Sequence, residues 1–177
     1  MSKKIDFSTL NLKDALDFAI LVEDEAKDRY NEFAKQIGTT HAGDAGAFFL
    51  LMAENEAKHG HELTAQRNKL FGTTPSAVTA DMVHEFGGIE APDYGRPRSF
   101  MSQRHALEVA LESEVKAHNF FTKALEQIKN EDVKKLFNEI KDEEVHHQNL
   151  IKDFIKKFGG DLSPDVHNDD VEGPQGL

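Results

Sequence analysis

Four stretches of this sequence share one pattern: apolar residues recur every three or four positions, and a glutamate in the same register interrupts them near mid-length. In the first, about Leu12 to Ile37, the stripe is Leu12, Leu16, Ala19, Ala26, Tyr30, Phe33 and Ile37, interrupted by Glu23. In the second, about Gly43 to Leu70, it is Phe49, Met52, Leu63 and Leu70, interrupted by Glu56 and His59. The third, about Met101 to Ile128, carries Leu107, Leu111, Phe121, Leu125 and Ile128 around Glu114. The fourth, about Glu131 to Phe158, carries Phe137, Ile140, Ile151, Phe154 and Phe158 around Glu144 and His147. Such spacing puts each set on one face of a helix, and that face turns to a core. A carboxylate buried there without a partner costs several kcal/mol or takes up a proton. A fold for this chain must therefore account for four glutamates pointing inward.

The connections set the order of the four helices. Asn11 is a suitable N-cap for the first helix and Gly38 a suitable stop. At about 1.5 Å per residue each helix is ~40 Å long. A short link near Gly38–Asp44 joins the first two helices, and the last two meet at Asn130, so each pair is an antiparallel hairpin. Between the hairpins lies Phe71–Arg98, rich in Gly, Pro and Thr and long enough to run the length of a helix. A short helix is expected within it, about Thr79–Phe86. The expectation is an all-α four-helix bundle formed by residues 1–160, with the crossover at about 71–98 and a flexible tail at 161–177. The sequence also repeats internally. Ala19, Glu23, Ala26 and Tyr30 align with Ala110, Glu114, Ala117 and Phe121 at one constant offset, which predicts two hairpins related by a pseudo-twofold axis.

Composition narrows what the inward residues can do. There is no cysteine, which excludes disulfides, thiolate metal sites and a cysteine nucleophile. The net charge is −11, with 32 acidic against 21 basic residues. Nucleic acid and anionic membranes are therefore poor partners, and metal cations are good ones. No apolar run reaches membrane-spanning length and the N-terminus lacks a signal-like core, so a cytoplasmic location is expected. Glu56 with His59, and Glu144 with His147, sit three apart and so share a helix face that can reach one ion. Four carboxylates balance the charge of two divalent ions, and no Lys or Arg lies on the stripes to pair them otherwise. A lone Glu-x-x-His arises about once by chance in such a chain. Two of them in core register, each following a helix with one in-register Glu, form a specific pattern. The candidate metal ligands are Glu23, Glu56, His59, Glu114, Glu144 and His147.

Each assignment has a competitor. Glu143 and His146 also form Glu-x-x-His, but their face runs through Leu136, Glu139, Leu150 and Asp153 and is half polar. Glu112 competes with Glu114 and loses on periodicity and on the repeat. His118, one turn beyond Glu114, reads as a hydrogen-bonded histidine at the core's edge, with an extra ligand as the alternative. His41, His61, His84, His105, His146 and His167 read as solvated.

These residues carry a family resemblance. Glu23-Asp24-Glu25-Ala26-Lys27-Asp28-Arg29-Tyr30, Ala53-Glu54-Asn55-Glu56-Ala57-Lys58-His59 and Phe137-x-x-Ile140-x-x-x-Glu144-x-x-His147 resemble the first, second and fourth helices of rubrerythrins. The resemblance implies a ferritin-like bundle with a di-iron carboxylate centre, manganese or a mixed pair being the alternative metals. By it, Glu56 and Glu144 would bridge the ions, Glu23 and Glu114 would be terminal ligands, and His59 and His147 would each hold one ion. Tyr30 stands where rubrerythrins place a tyrosine that hydrogen-bonds a ligand carboxylate, ordinary core packing being the other reading. The chain departs from the family in two respects. It has no rubredoxin-like domain, which needs cysteines, and it has Ala117 where rubrerythrins carry an extra glutamate. The implied activity is reduction of hydrogen peroxide or dioxygen, with electrons from an external donor protein. A ferroxidase or iron store, and a di-iron oxygenase acting on an organic substrate, are the alternatives. A homodimer or larger assembly is expected.

Overall fold

The computed structural model describes residues 4–38, 44–96 and 101–158. Among the described residues, five α-helices and one 3-10 turn make up the regular structure, and no strand occurs. The four long helices are α1 (Leu12–Ile37), α2 (Ala45–Phe71), α4 (Gln103–Leu125) and α5 (Glu131–Phe158), and the short α3 (Ala80–His84) lies in the crossover. Local chemistry fixes where three of the long helices begin. The Asn11 side chain accepts from the Asp14 amide at 3.0 Å, Asp44 from Ala47 at 2.8 Å, and Ser102 from His105 at 3.1 Å. Each such cap contributes about 1 kcal/mol. Gly38, at φ 85°, ends α1 in a conformation that costs other residues more.

The ferritin-like arrangement is present. α1 packs along α2 and α4 along α5, and the two hairpins meet where α2 touches α4 and α1 touches α5. The apolar interior is divided in two. One core, built on Phe7, Leu16, Phe18, Phe121, Val133 and Phe137, fills the end where α1 and α5 begin. The other, built on Tyr30, Phe33, Phe49, Met52, Leu107 and Ile151, fills the opposite end. Aromatic rings interlock in both: Phe121 meets Phe137 edge-on at 5.1 Å, and Phe33 meets Phe49 at 5.5 Å. Each long helix runs from one core to the other, and its inward glutamate falls between them.

Several boundaries differ from expectation. α2 starts at Ala45 and ends at Phe71, and α4 ends at Leu125, leaving Ile128 buried in the turn that follows. Leu70, expected on the stripe, is 50% exposed, and Phe71 packs against the core instead. A strict seven-residue step drifts by ~20° on a straight helix, which carries Leu70 off the buried face. The 3-10 turn Phe7–Thr9, which seats Phe7 in the first core, was not anticipated. The expected tail, with His41 and His167, lies outside the described residues.

Candidate metal centre

The layer between the two cores is polar. Glu23, Glu56, Glu114 and Glu144, one from each long helix, are at most 3% exposed, His147 is buried and His59 is half-buried. The repeat in sequence becomes a repeat in space, in which the first hairpin brings Glu23, Glu56 and His59 and the second brings Glu114, Glu144 and His147. His59 Nδ1 lies 4.0 Å from Glu23 Oε2 and 3.9 Å from Glu56 Oε2. His147 Nδ1 lies 3.1 Å from Glu114 Oε2. The two imidazoles stack between the halves, their centroids 4.8 Å apart and their planes 7° from parallel. Ligand atoms of Glu56, His59 and His147 lie within 4.8 Å of one another, as do those of Glu114, Glu144 and His147.

A fifth carboxylate enters from the crossover. Glu90 is 1% exposed, and one of its oxygens lies within 4.8 Å of oxygens of both Glu23 and Glu56. Helical periodicity could not reveal it, because the segment that carries it is not a helix. The available signal was a single acid between Ile89 and Ala91, in a connection that must pass the middle of the bundle.

The electrostatics of this layer are unfavourable without a cation. Burial pushes the carboxyls of Glu23, Glu56, Glu90 and Glu144 well above the ordinary range, and the neighbouring carboxylates push them further. Burial, and then His147, lowers His59, which favours its neutral, ligating form. Oxygens of Glu23, Glu56, Glu90, Glu114 and Glu144 are buried without a hydrogen-bond partner. Buried arginines do not relieve them. Arg29 donates to Pro92 O at 2.6 Å and pairs with Glu25, and Arg67 donates to Asp17 at 2.8 Å. Buried polar atoms are rarely left unpaired in a stable protein. Partnerless carboxylate oxygens converging with two imidazoles match the donor set that Fe, Mn or Zn takes.

The other residues singled out in the sequence lie around this layer. The competitors lie outside it, since Glu143 and His146 are exposed and Glu112 is exposed and paired with Arg96. His118 is half-buried and belongs to none of the ligand clusters among the described residues. His61 and His84 are exposed, and His105 is half-buried. Ala117, fully buried, offers no ligand. Tyr30 is fully buried and stacks on Phe49 at 5.9 Å, and its hydroxyl has no partner. Burial raises its pKa well above the ordinary value, with further contributions from Glu114, Glu56 and Glu90. The phenol therefore keeps its proton, within electrostatic reach of the carboxylates.

Comparison with known proteins follows the same lines. The family model described as Rubrerythrin matches residues 14–86 and 105–173. An uncharacterized conserved protein from Magnetospirillum magnetotacticum MS-1 has a similar crystal structure. It is 25% identical, with a TM-score of 0.62, over 84% of this chain and 95% of that one. A hypothetical protein from Pyrococcus furiosus, 20% identical with a TM-score of 0.52 over 85% of this chain and 92% of that one, shares the fold. No curated protein matches the chain.

Proposed function

This chain belongs to the rubrerythrin family, and from that premise we propose that it is a di-iron oxidoreductase that reduces hydrogen peroxide with electrons from another protein. The observation that carries the reading is the layer of buried, partnerless carboxylates and two imidazoles, placed by all four long helices between two apolar cores. Glu23, Glu56, His59, Glu114, Glu144 and His147 would hold the two ions. Two ferrous ions held together supply two electrons at once, the number that takes hydrogen peroxide to water.

The chain's own residues support that chemistry in three ways. The two cores exclude bulk water from the layer, which strengthens every charge interaction within it. Tyr30 keeps its proton, and its buried hydroxyl, within electrostatic reach of the carboxylates, would donate to a ligand oxygen that moved toward it. His59 lines a cleft of about 100 Å³ between α2 and α5, together with Glu62, Gln66, Glu139 and Glu143. That volume suits a two-oxygen molecule and is well below the ~300 Å³ or more of an organic-ligand pocket. These 177 residues hold no cysteine and hence no thiolate-bound iron centre, so the proposed reductant lies outside them.

One feature favours a second reading. Glu62, Glu139 and Glu143 give the cleft an acidic wall, which attracts cations and suits a ferroxidase that takes up iron repeatedly. Stopped-flow oxidation of the anaerobically loaded ferrous protein separates the two. The peroxidase reading expects oxidation by hydrogen peroxide to be much faster than by an equal concentration of dioxygen. Faster oxidation by dioxygen, sustained as more iron is added, would establish the ferroxidase instead.

A further inference from the structure

We infer that Glu90 is a seventh metal ligand, delivered by the crossover, so that the segment joining the two hairpins closes the metal centre. The inference rests on the di-metal reading above and extends it to a residue outside the helices. Glu90 lies between the two stretches that match the family model, residues 14–86 and 105–173.

The crossover is built to hold that carboxylate in place. After α3, Gly87 and Gly88 both take left-handed conformations, at φ 77° and 72°. Two such residues in succession turn the chain inward at a low cost that only glycine allows. Ile89 then enters the first core, and Ala91 and Pro92 are buried beyond Glu90. Cations from both hairpins fasten the backbone just after it. Lys116 Nζ on α4 donates to Ala91 O at 2.8 Å, and Arg29 Nη1 on α1 donates to Pro92 O at 2.6 Å. The Arg29 guanidinium also lies 3.3 Å from the centroid of the Tyr94 ring.

Neither of these cations neutralises Glu90. Both bind carbonyl groups of its own segment, while its Oε2 is left buried without a hydrogen-bond partner beside Glu23 and Glu56. A residue serving only to pack would be apolar here, as Ile89 and Ala91 are. One serving as a structural hydrogen-bonding acid would have a partner for that oxygen. A cation bound by Glu23 and Glu56 supplies the partner. The two halves of the centre are then unequal, because the half built by the first hairpin gains a carboxylate that the second lacks.

The test compares the full-length protein with Glu90→Gln, which keeps the shape and removes the charge, and with Glu90→Asp, which keeps the charge. Each is loaded anaerobically with Fe(II), and separately with Mn(II), and binding is measured by chelator competition. Glu90→Gln is expected to weaken one of the two ions by about 10–100-fold, at least the loss that removing a mere hydrogen-bond partner of a ligand causes. The other ion should keep its affinity, and Glu90→Asp should recover part of the loss. Metal should also slow hydrogen exchange over residues 88–92 in the wild type and not in Glu90→Gln. A crystal structure of the loaded wild type should place a Glu90 oxygen in the coordination sphere, a readout that needs no variant. Equal affinities for both ions in wild type and Glu90→Gln, with Glu90 away from the ions, would overturn the inference and leave the six-residue site standing. Failure of the wild type to bind metal at all would overturn both.

Discussion

Both carboxylate oxygens of Glu56 are buried without a hydrogen-bond partner, and its side chain belongs to two of the three clusters that could hold an ion among the described residues. Replacing it with glutamine removes a charge from a crowded layer and a ligand from the centre. The metal-free Glu56→Gln protein should be more stable than the wild type by on the order of 1 kcal/mol. Its stabilisation by metal should be largely lost, and paired thermal melts with and without Mn(II) read both effects. The pH dependence follows from the same residues. Glu23, Glu56, Glu90 and Glu144 bind protons more tightly folded than unfolded. Between the ordinary carboxyl range and their raised values the native state carries more protons, so unfolding free energy falls as pH rises. His59 works in the other direction, since burial and His147 hold it below the ordinary imidazole range and stability is lost as pH falls through that range, but it is one group against four. Asp17 also opposes them. Burial raises it, but hydrogen bonds from Arg67 and Lys13 outweigh burial, and its contribution is lost only below the ordinary range. The metal-free protein should therefore melt at a higher temperature at about pH 5.5 than at about pH 8. Saturating metal should reverse that order, since the ligands bind deprotonated. Tyr30→Phe should leave two ions bound and slow oxidation by peroxide, as stopped flow would show. An unchanged rate would reduce Tyr30 to core packing.

The long helices were legible because their burial repeats with the helical period. α1 and α5 begin and end where the stripes and caps place them, and Glu144 and His147 are buried while Glu143 and His146, one residue away, are exposed. The crossover was not legible in the same way. Glu90 sits in a connection with no period, and its burial depends on two glycine conformations and on cations donated by distant helices. The buried pair of Arg67 and Asp17 was equally hidden, because each residue reads alone as a surface charge on its helix. Arg67 ties three elements together, donating to Asp17 on α1 and to the carbonyls of Gly72 and Thr74 where the crossover begins. Arg67→Ala leaves Asp17 with Lys13 and deprives both carbonyls of their donor, and should cost about 2 kcal/mol in chemical denaturation. A loss below about 0.5 kcal/mol would mean that water replaces the guanidinium without penalty.

For the molecule as a whole, the polar layer divides the apolar interior into two cores that hold the hairpins together from either end. Truncating Phe49 or Phe137, one from each core, should cost about 3–5 kcal/mol. If the cores are as separate as their contacts indicate, the two losses should add in the double variant. Leu50, Leu51, Val145 and Leu150 expose 38–41% of their surface on α2 and α5. Light scattering should therefore find a dimer or larger assembly, and a large hollow shell would favour the storage reading. Whether the layer between the cores is a two-metal site is decided by the iron content of the protein after anaerobic loading with excess Fe(II) and removal of unbound metal. Two irons per chain are expected in the wild type and one or none in Glu56→Gln. An iron-free wild type, or an iron content that the substitution leaves unchanged, would contradict a two-metal site.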